Sequence, residues 1–117
     1  MLNQTVLTGN LGQDPETFFT TGGDPVANFS MAFKTSKKKT GWIKVVCFNR
    51  LAEITEKHLH KGARVGVIGR LEENTWETDE GVKKSNFQIL CNSLEFIKTD
   101  GRGFENKEKE YEDDVPY

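Results

Sequence analysis

The chain has few of the residues that mark a secreted scaffold or a membrane protein. Cysteine occurs only twice, at Cys47 and Cys91, and proline only three times among 117 residues. Both cysteines lie in apolar runs, so we expect buried free thiols rather than a disulfide. No stretch approaches the roughly 20 apolar residues that cross a bilayer. The N-terminus lacks the basic and apolar regions of a signal peptide, which predicts a cytoplasmic protein without membrane contact.

The sequence also lacks the motifs that carry most enzyme chemistry. It contains no Cys-x-x-Cys, Walker loop or Gly-x-Ser-x-Gly. His58 and His60 are two residues apart on a predicted helix and point in different directions, which makes a poor metal pair. Five acids cluster near one hairpin: Glu72, Glu73, Glu77, Asp79 and Glu80. Paired carboxylates can bind a divalent ion, so these acids leave a small metal-dependent nuclease as one alternative hypothesis. We expect no catalytic residue, metal or cofactor.

The formal net charge of -2 is unevenly distributed. Residues 1–98 carry 13 basic and 11 acidic side chains, whereas residues 99–117 carry 3 and 7. The second segment also has few apolar residues, so it cannot bury a core. We therefore predict a folded domain over residues 1–98 and a disordered acidic tail over residues 99–117.

Turn and strand signals predict five strands and one helix. The strands are expected at residues 1–10, 26–34, 42–48, 64–76 and 85–98, with turns at residues 12–15, 20–25, 37–41 and 79–81. Gly66 and Gly69 indicate a bend or bulge in the fourth strand.

The helix is expected at residues 49–61, between the third and fourth strands. Asn49 can cap its N-terminus, and Gly62 can end it in the left-handed conformation. Ala52, Thr55 and Leu59 lie on one stripe. A lone helix at this point is the plan of the OB-fold, a five-stranded Greek-key barrel. A β-sandwich or SH3-like barrel fits the short strands but does not need this helix. The predicted fold class is therefore all-β with one helix, plus the tail.

The third predicted strand separates small apolar residues from large aromatic ones. Side chains alternate between the two faces of a strand. The small set is Ile43, Val45 and Cys47, and the other set is Trp42, Lys44, Val46 and Phe48. The small set is expected inside the barrel, so the aromatics and the lysine face outward. Bases stack on exposed rings while cations follow phosphates, so this face suits single-stranded nucleic acid. Core or oligomer contacts for Trp42 and Phe48 fit the alternation equally well.

Further candidates for this face lie in the fourth and fifth strands and in two turns. Arg70, Asn74 and Trp76 are expected on the same face of the fourth strand, near the hairpin tip. Basic residues accompany them at Lys83 and Lys84 on the other arm, and at Lys37, Lys38 and Lys39 in another turn. Each lysine cluster alone is typical of a solvated turn. Because exposed rings and cations are both needed to bind single-stranded nucleic acid, the lysine clusters and the aromatics together favour that function.

The C-terminal residues are Asp113, Asp114, Val115, Pro116 and Tyr117. Acids that lead to an apolar, proline and aromatic tip suit capture by a basic, apolar pocket on another protein. A solubility tail is the alternative, but it does not account for the last three residues.

These motifs together resemble the bacterial and phage single-stranded DNA-binding proteins. The resemblance rests on residues 7–16 (LTGNLGQDPE), 42–48 (WIKVVCF) and 69–71 (GRL) with Trp76, and on the ending 113–117 (DDVPY). It implies an OB-fold that binds single-stranded DNA without sequence preference, close to the nucleoid. It also implies a homo-oligomer, usually a tetramer with a dimer possible, whose tail tip recruits replication, recombination and repair proteins. Trp42, Phe48 and Trp76 would stack on bases, and Lys44 would contact phosphate.

Several positions depart from the family pattern. The loop at residues 36–41 is short and carries lysines where the family often places another stacking tryptophan. Glu72 and Asn74 stand at positions that are often basic, which should weaken binding. Tyr117 replaces the usual terminal phenylalanine, and the linker is short, as in a phage or plasmid version. The runner-up hypothesis is a replication adaptor of the primosomal type, in which the exposed aromatics anchor protein contacts.

Overall fold

The computed structural model describes residues 1–97. The predicted boundary at residue 98, the tail and its tip at residues 113–117 lie outside the described residues. The elements are β1 (Thr5–Leu11), β2 (Glu16–Phe19), β3 (Pro25–Ser36), β4 (Lys39–Phe48), α1 (Arg50–His58), β5 (Arg64–Glu77) and β6 (Lys83–Ile97). Within this part of the chain no helix is long and apolar enough to cross a membrane.

Five of these strands close into a barrel. The sheet order is β1-β5-β6-β4-β3-β2, and β1 also pairs with β3 at Asn10↔Ala32 and Leu11↔Met31. This last pairing joins the two sides of the sheet. β4 and β6 run parallel, whereas the other described pairings are antiparallel. With α1 between β4 and β5, the architecture is the predicted OB-fold.

A sixth strand, β2, was not expected from the sequence. It has four residues, pairs only with β3 among the described strands, and exposes every side chain. A strand that buries neither face shows no alternation of apolar and polar residues, so its pattern gives no signal. The predicted count of five strands is therefore correct for the barrel but wrong for the sheet.

The barrel interior is filled by the small apolar set of β4 and its neighbours. Val45 and Cys47 are fully buried, and Ile43 is half-buried against the same core. The stripe of α1 is buried as predicted, with Ala52, Thr55 and Leu59 all in the interior. Val46 was expected to face outward with Trp42 but is buried. Val46 lies between Asn28 of β3 and Leu90 of β6, its partners on the two neighbouring strands.

Both predicted ends of the helix need correction. The side chain of Asn49 makes no capping hydrogen bond, and only its carbonyl accepts the Glu53 N–H, at 3.1 Å. The helix stops at His58 because Leu59 adopts an extended conformation that carries its side chain into the core. Gly62 does have a positive φ of 88°, but it serves a later turn that the Ala63 N–H closes on the His60 carbonyl.

The hairpin turns are close to those predicted. β4 begins at Lys39, so the turn after β3 contains only Lys37 and Lys38 and is shorter than expected. The β5–β6 turn places Gly81 at a φ of 82°. The predicted bulge is present, because the β5–β6 register shifts between Ile68 and Gly69.

The two cysteines are free and buried, as the sequence predicts. The Cys91 thiol donates a hydrogen bond to the Ser93 carbonyl at 3.3 Å. Its hydrogen bond with Cys47, together with burial, raises the pKa of Cys91. The same hydrogen bond lowers the pKa of Cys47. Both thiols are buried in the core, so burial rather than protonation state keeps a reagent away from them.

Iodoacetamide should therefore leave both thiols unmodified in the native protein. Denaturation in urea should allow both to be alkylated, because it removes the core that covers them. Mass spectrometry of the two samples, alkylated for the same time at the same pH, measures the difference. Rapid alkylation of the native chain would contradict the buried placement.

Candidate nucleic-acid interface

The aromatic residues predicted to face outward are exposed. Trp42 exposes 61% of its surface, and Phe48 and Trp76 expose 44% each. Large apolar side chains often fill the core, but these three rings lie on the barrel exterior, where they can contact a ligand. The prediction that these three rings lie outside the core is confirmed.

Three adjacent strands carry most of these residues on one side of the barrel. Lys44 of β4 pairs with Gln88 of β6, which in turn pairs with Glu72 of β5. The Gln88 side chain donates a hydrogen bond to Glu72 at 3.0 Å, so both side chains lie on this side. We call the outward side of β4, β6 and β5 the outer face. Its outward positions are Trp42, Lys44, Asn86, Gln88, Arg70, Glu72, Asn74 and Trp76.

The first of two grooves near this surface lies beside Trp42. It has a volume of about 440 Å³ and is open to solvent. Its lining comes from three strands and consists of Ser30, Trp42, Ile43, Lys44, Asn86 and Phe87. The groove thus combines two exposed rings, one ammonium group and two neutral polar side chains. This mixture offers stacking surfaces for bases and a partner for phosphate.

The second groove lies at the end of the β5–β6 arm and has a volume of about 490 Å³. Trp76 and Lys84 in its lining belong to the outer face, whereas the other lining residues alternate to the opposite side of the arm. Trp76 pairs directly with Lys84 across the arm, and Lys83 lines the same groove. The hairpin therefore brings together one predicted ring and one predicted lysine cluster from its two arms. Glu73 and Glu77 also line this groove and reduce its positive charge.

Glu72 introduces negative charge into the middle of the outer face. Its hydrogen bond with Gln88 holds the carboxylate there, and Gln88 is itself buried. A phosphate passing between Lys44 and Arg70 would meet this charge. The expectation that position 72 weakens electrostatic binding is consistent with this placement and stays a prediction.

Some predicted residues lie away from both grooves. Phe48 is at the far end of β4, where it pairs with Val26. The lysines at positions 37–39 are exposed at the β3–β4 hairpin tip. Arg70 and Asn74 are exposed on β5, and Asn74 pairs with Asn86, which lines the first groove. The structure thus places Asn74 beside the Trp42 groove, with Phe48 and the lysines of the hairpin tip at the periphery.

The sequence analysis missed four residues of this surface: Ser30, Asn86, Phe87 and Gln88. Alternation along β6 could have placed Asn86 and Gln88 on the outer face, because the apolar Ile89 and Cys91 occupy the alternate positions that face the core. Phe87 is on the same side of β6 as Ile89 and Cys91 but is 55% exposed, since the β5–β6 arm extends past the core. Alternation along β3 could likewise have placed Ser30 outward between the buried Phe29 and Met31, but its position beside Lys44 depends on the β3–β4 pairing.

The acids near the hairpin do not gather into a metal site. Among residues 1–97, no three His, Cys, Asp or Glu side chains are arranged to hold an ion. Glu73 and Glu77 line the second groove, but Glu77 pairs with Lys83 across the arm and Glu73 pairs with Phe87. The geometry thus gives the nuclease hypothesis no ligand set in this part of the chain.

Bacterial single-stranded DNA-binding proteins are among the proteins similar to this chain in sequence. Single-stranded DNA-binding protein 1 of Chlorobaculum tepidum is 32% identical over 124 residues, covering 98% of this chain and 76% of that protein. The single-stranded DNA-binding protein of Xanthomonas campestris pv. campestris is 33% identical over 110 residues. That match covers 87% of this chain but only 64% of the relative, slightly less than two thirds of its length.

The similarity extends to a solved structure and to a family model. A Plasmodium falciparum SSB in complex with ssDNA matches with a TM-score of 0.78 and 30% identity, covering 84% of this chain and 96% of that one. The model of the single-strand binding protein family matches residues 2–97, which is every described residue except the first. The chain therefore belongs to the single-strand binding protein family.

Proposed function

We propose that this protein binds single-stranded DNA through the outer face, without sequence preference and without catalysis. The observation that carries the proposal is the exposure of Trp42 and Trp76 on one side of an OB barrel, each beside a lysine. Stacking is indifferent to base identity because every base has a π-face. The named relatives and the solved complex support DNA as the ligand.

The proposed contacts divide into stacking and charge. Trp42, Trp76 and Phe48 stack on bases, and Lys44 contacts phosphate. The surrounding polar and basic residues guide the strand: Arg70, Asn74, Lys37, Lys38, Lys39, Lys83 and Lys84. Because the domain is nearly neutral overall, local clusters rather than long-range steering supply the electrostatic attraction.

We infer that the protein acts as a homo-oligomer, a tetramer with a dimer as the alternative. β1 supports this inference. Residues 5–9 pair with β5 on one side, and only Asn10 and Leu11 pair with β3 in the described sheet. Val6 on this strand is 64% exposed. A strand with a free edge can pair with a second chain.

We further propose that the C-terminal tip, residues 113–117, recruits proteins of replication, recombination and repair. The proposal rests on the residue types alone: two acids followed by Val115, Pro116 and Tyr117. Their resemblance to the family ending supports it. Tyr117 in place of phenylalanine puts a hydroxyl where a partner pocket shaped for phenylalanine is apolar.

A fluorescence titration with a thymine oligonucleotide tests the main proposal. Trp42 and Trp76 are the only tryptophans, so their emission reports directly on the outer face. We expect strong quenching, and an affinity that falls with salt by a slope of about -0.7 per phosphate contacted. Absence of both quenching and binding at low salt would overturn the proposal and favour the protein-adaptor hypothesis.

A further inference from the structure

Trp42 is largely exposed, yet its ring rests against the backbone of a distant segment. A methyl group built on the Gly12 Cα would lie 2.6 Å from Trp42 Cζ3 and 2.8 Å from Cη2. Both distances are shorter than carbon atoms tolerate without a shift. The six-membered part of the indole therefore occupies the space that a side chain at position 12 would fill.

Gly12 is anchored beside the ring by its own hydrogen bond and by its buried neighbour. Its N–H donates to the Ser30 carbonyl at 3.1 Å, and Ser30 lines the groove beside Trp42. The preceding residue, Leu11, is buried and pairs with Met31 of β3. A side chain added at position 12 would thus displace the exposed indole more readily than the backbone.

The backbone conformation of Gly12 does not itself require glycine. Positive φ values among the described glycines occur only at Gly23, Gly62 and Gly81. An alanine at position 12 therefore meets no backbone strain. What the position requires is the absence of a side chain next to Trp42.

We propose that Gly12 is a positioning residue for DNA binding, which supports the Trp42 indole in the orientation that a base stacks upon. This inference rests on the proposed function, because it assigns Gly12 a role only through the Trp42 contact. Gly12 itself needs no contact with DNA. It acts by being small, so that the ring lies against the end of β1 rather than swinging freely in solvent.

The Gly12→Ala variant tests the proposal. We expect it to fold with nearly unchanged stability, because Trp42 can move into solvent. It should bind a thymine oligonucleotide about tenfold more weakly, since the displaced ring loses most of its stacking. Gly22→Ala is the matched control: its φ is not positive, and its nearest neighbours, Thr20 Oγ1 and Asp24 Oδ2, lie 3.9 and 4.0 Å from the added methyl.

Two readouts separate positioning from a general structural effect. In protein labelled with 5-fluorotryptophan, Gly12→Ala should shift the fluorine resonance of Trp42 and leave that of Trp76 in place. In a Trp42→Phe background, Gly12→Ala should change the affinity less than twofold, because phenylalanine lacks the second ring that reaches position 12.

The outcomes distinguish this inference from the proposed function. If the parent protein fails to bind the oligonucleotide, the proposed function itself fails. If the parent binds and Gly12→Ala binds equally well, or loses as much affinity in the Trp42→Phe background, the positioning role is overturned while DNA binding stands.

Discussion

Replacing Trp42 with alanine is expected to weaken binding of a thymine oligonucleotide by about 5- to 150-fold. Stacking of one base on an aromatic side chain contributes roughly 1–3 kcal/mol, and each 1.4 kcal/mol corresponds to a tenfold change in Kd. Trp42 has the largest exposed fraction of the three rings on β4 and β5 and lines the groove that contains Lys44. Its removal takes away the main stacking surface of that groove but leaves the barrel core intact.

Fluorescence anisotropy of a labelled oligonucleotide measures this effect without using the tryptophan signal. Phe19→Ala is the control, since Phe19 is 72% exposed on β2, a strand that is not part of the outer face. This control variant should bind like the parent. Equal loss in the two variants would contradict the outer face as the DNA site.

The double variant Trp42→Ala with Phe48→Ala separates DNA binding from the adaptor hypothesis. Under the proposed function, DNA affinity is lost while the sedimentation coefficient of the assembled protein stays unchanged. An adaptor that uses these rings as protein anchors would instead lose assembly and keep its DNA affinity. Both properties are measured on one preparation. Loss of assembly with retained DNA affinity would contradict the proposed function.

The outer face was predictable where it depends on one strand and not where it depends on several. Alternation within β4 is enough to place Trp42 and Lys44 on one face and Val45 on the other, because successive side chains of a strand point to opposite faces. The grooves also depend on which strands are neighbours. The parallel pairing that sets Lys44 beside Gln88 joins segments more than 40 residues apart, and no local pattern encodes it.

The fold errors have a similar physical origin. β2 exposes both of its faces, so the sequence shows no alternation there. The helix end was misplaced because capping propensity at Gly62 is a local preference, whereas burial of Leu59 is a property of the finished core. Tertiary packing overrides local propensity when the two conflict, and here it ends the helix four residues before Gly62.

Replacing Ile89 with alanine is expected to lower the free energy of unfolding by about 2–5 kcal/mol. Ile89 is fully buried on β6 and pairs with Val45 on one side and Leu71 on the other. Its truncation loses buried apolar contact and leaves a cavity that the closed barrel cannot readily collapse. Urea unfolding at a fixed protomer concentration measures the loss, since oligomerisation would make stability depend on concentration.

Val82→Ala is the matched control for the Ile89 variant. Val82 is 51% exposed in the β5–β6 turn, so its truncation should change the free energy of unfolding by less than about 0.5 kcal/mol. Below the unfolding transition, the Ile89 variant should still bind the oligonucleotide, because its outward neighbours on β6 keep their positions. A variant that stays fully folded yet loses DNA affinity would mean that the core residue shapes the outer face directly. Retained affinity with reduced stability would instead show that the barrel interior and the stacking surface contribute separately, one to folding and the other to binding.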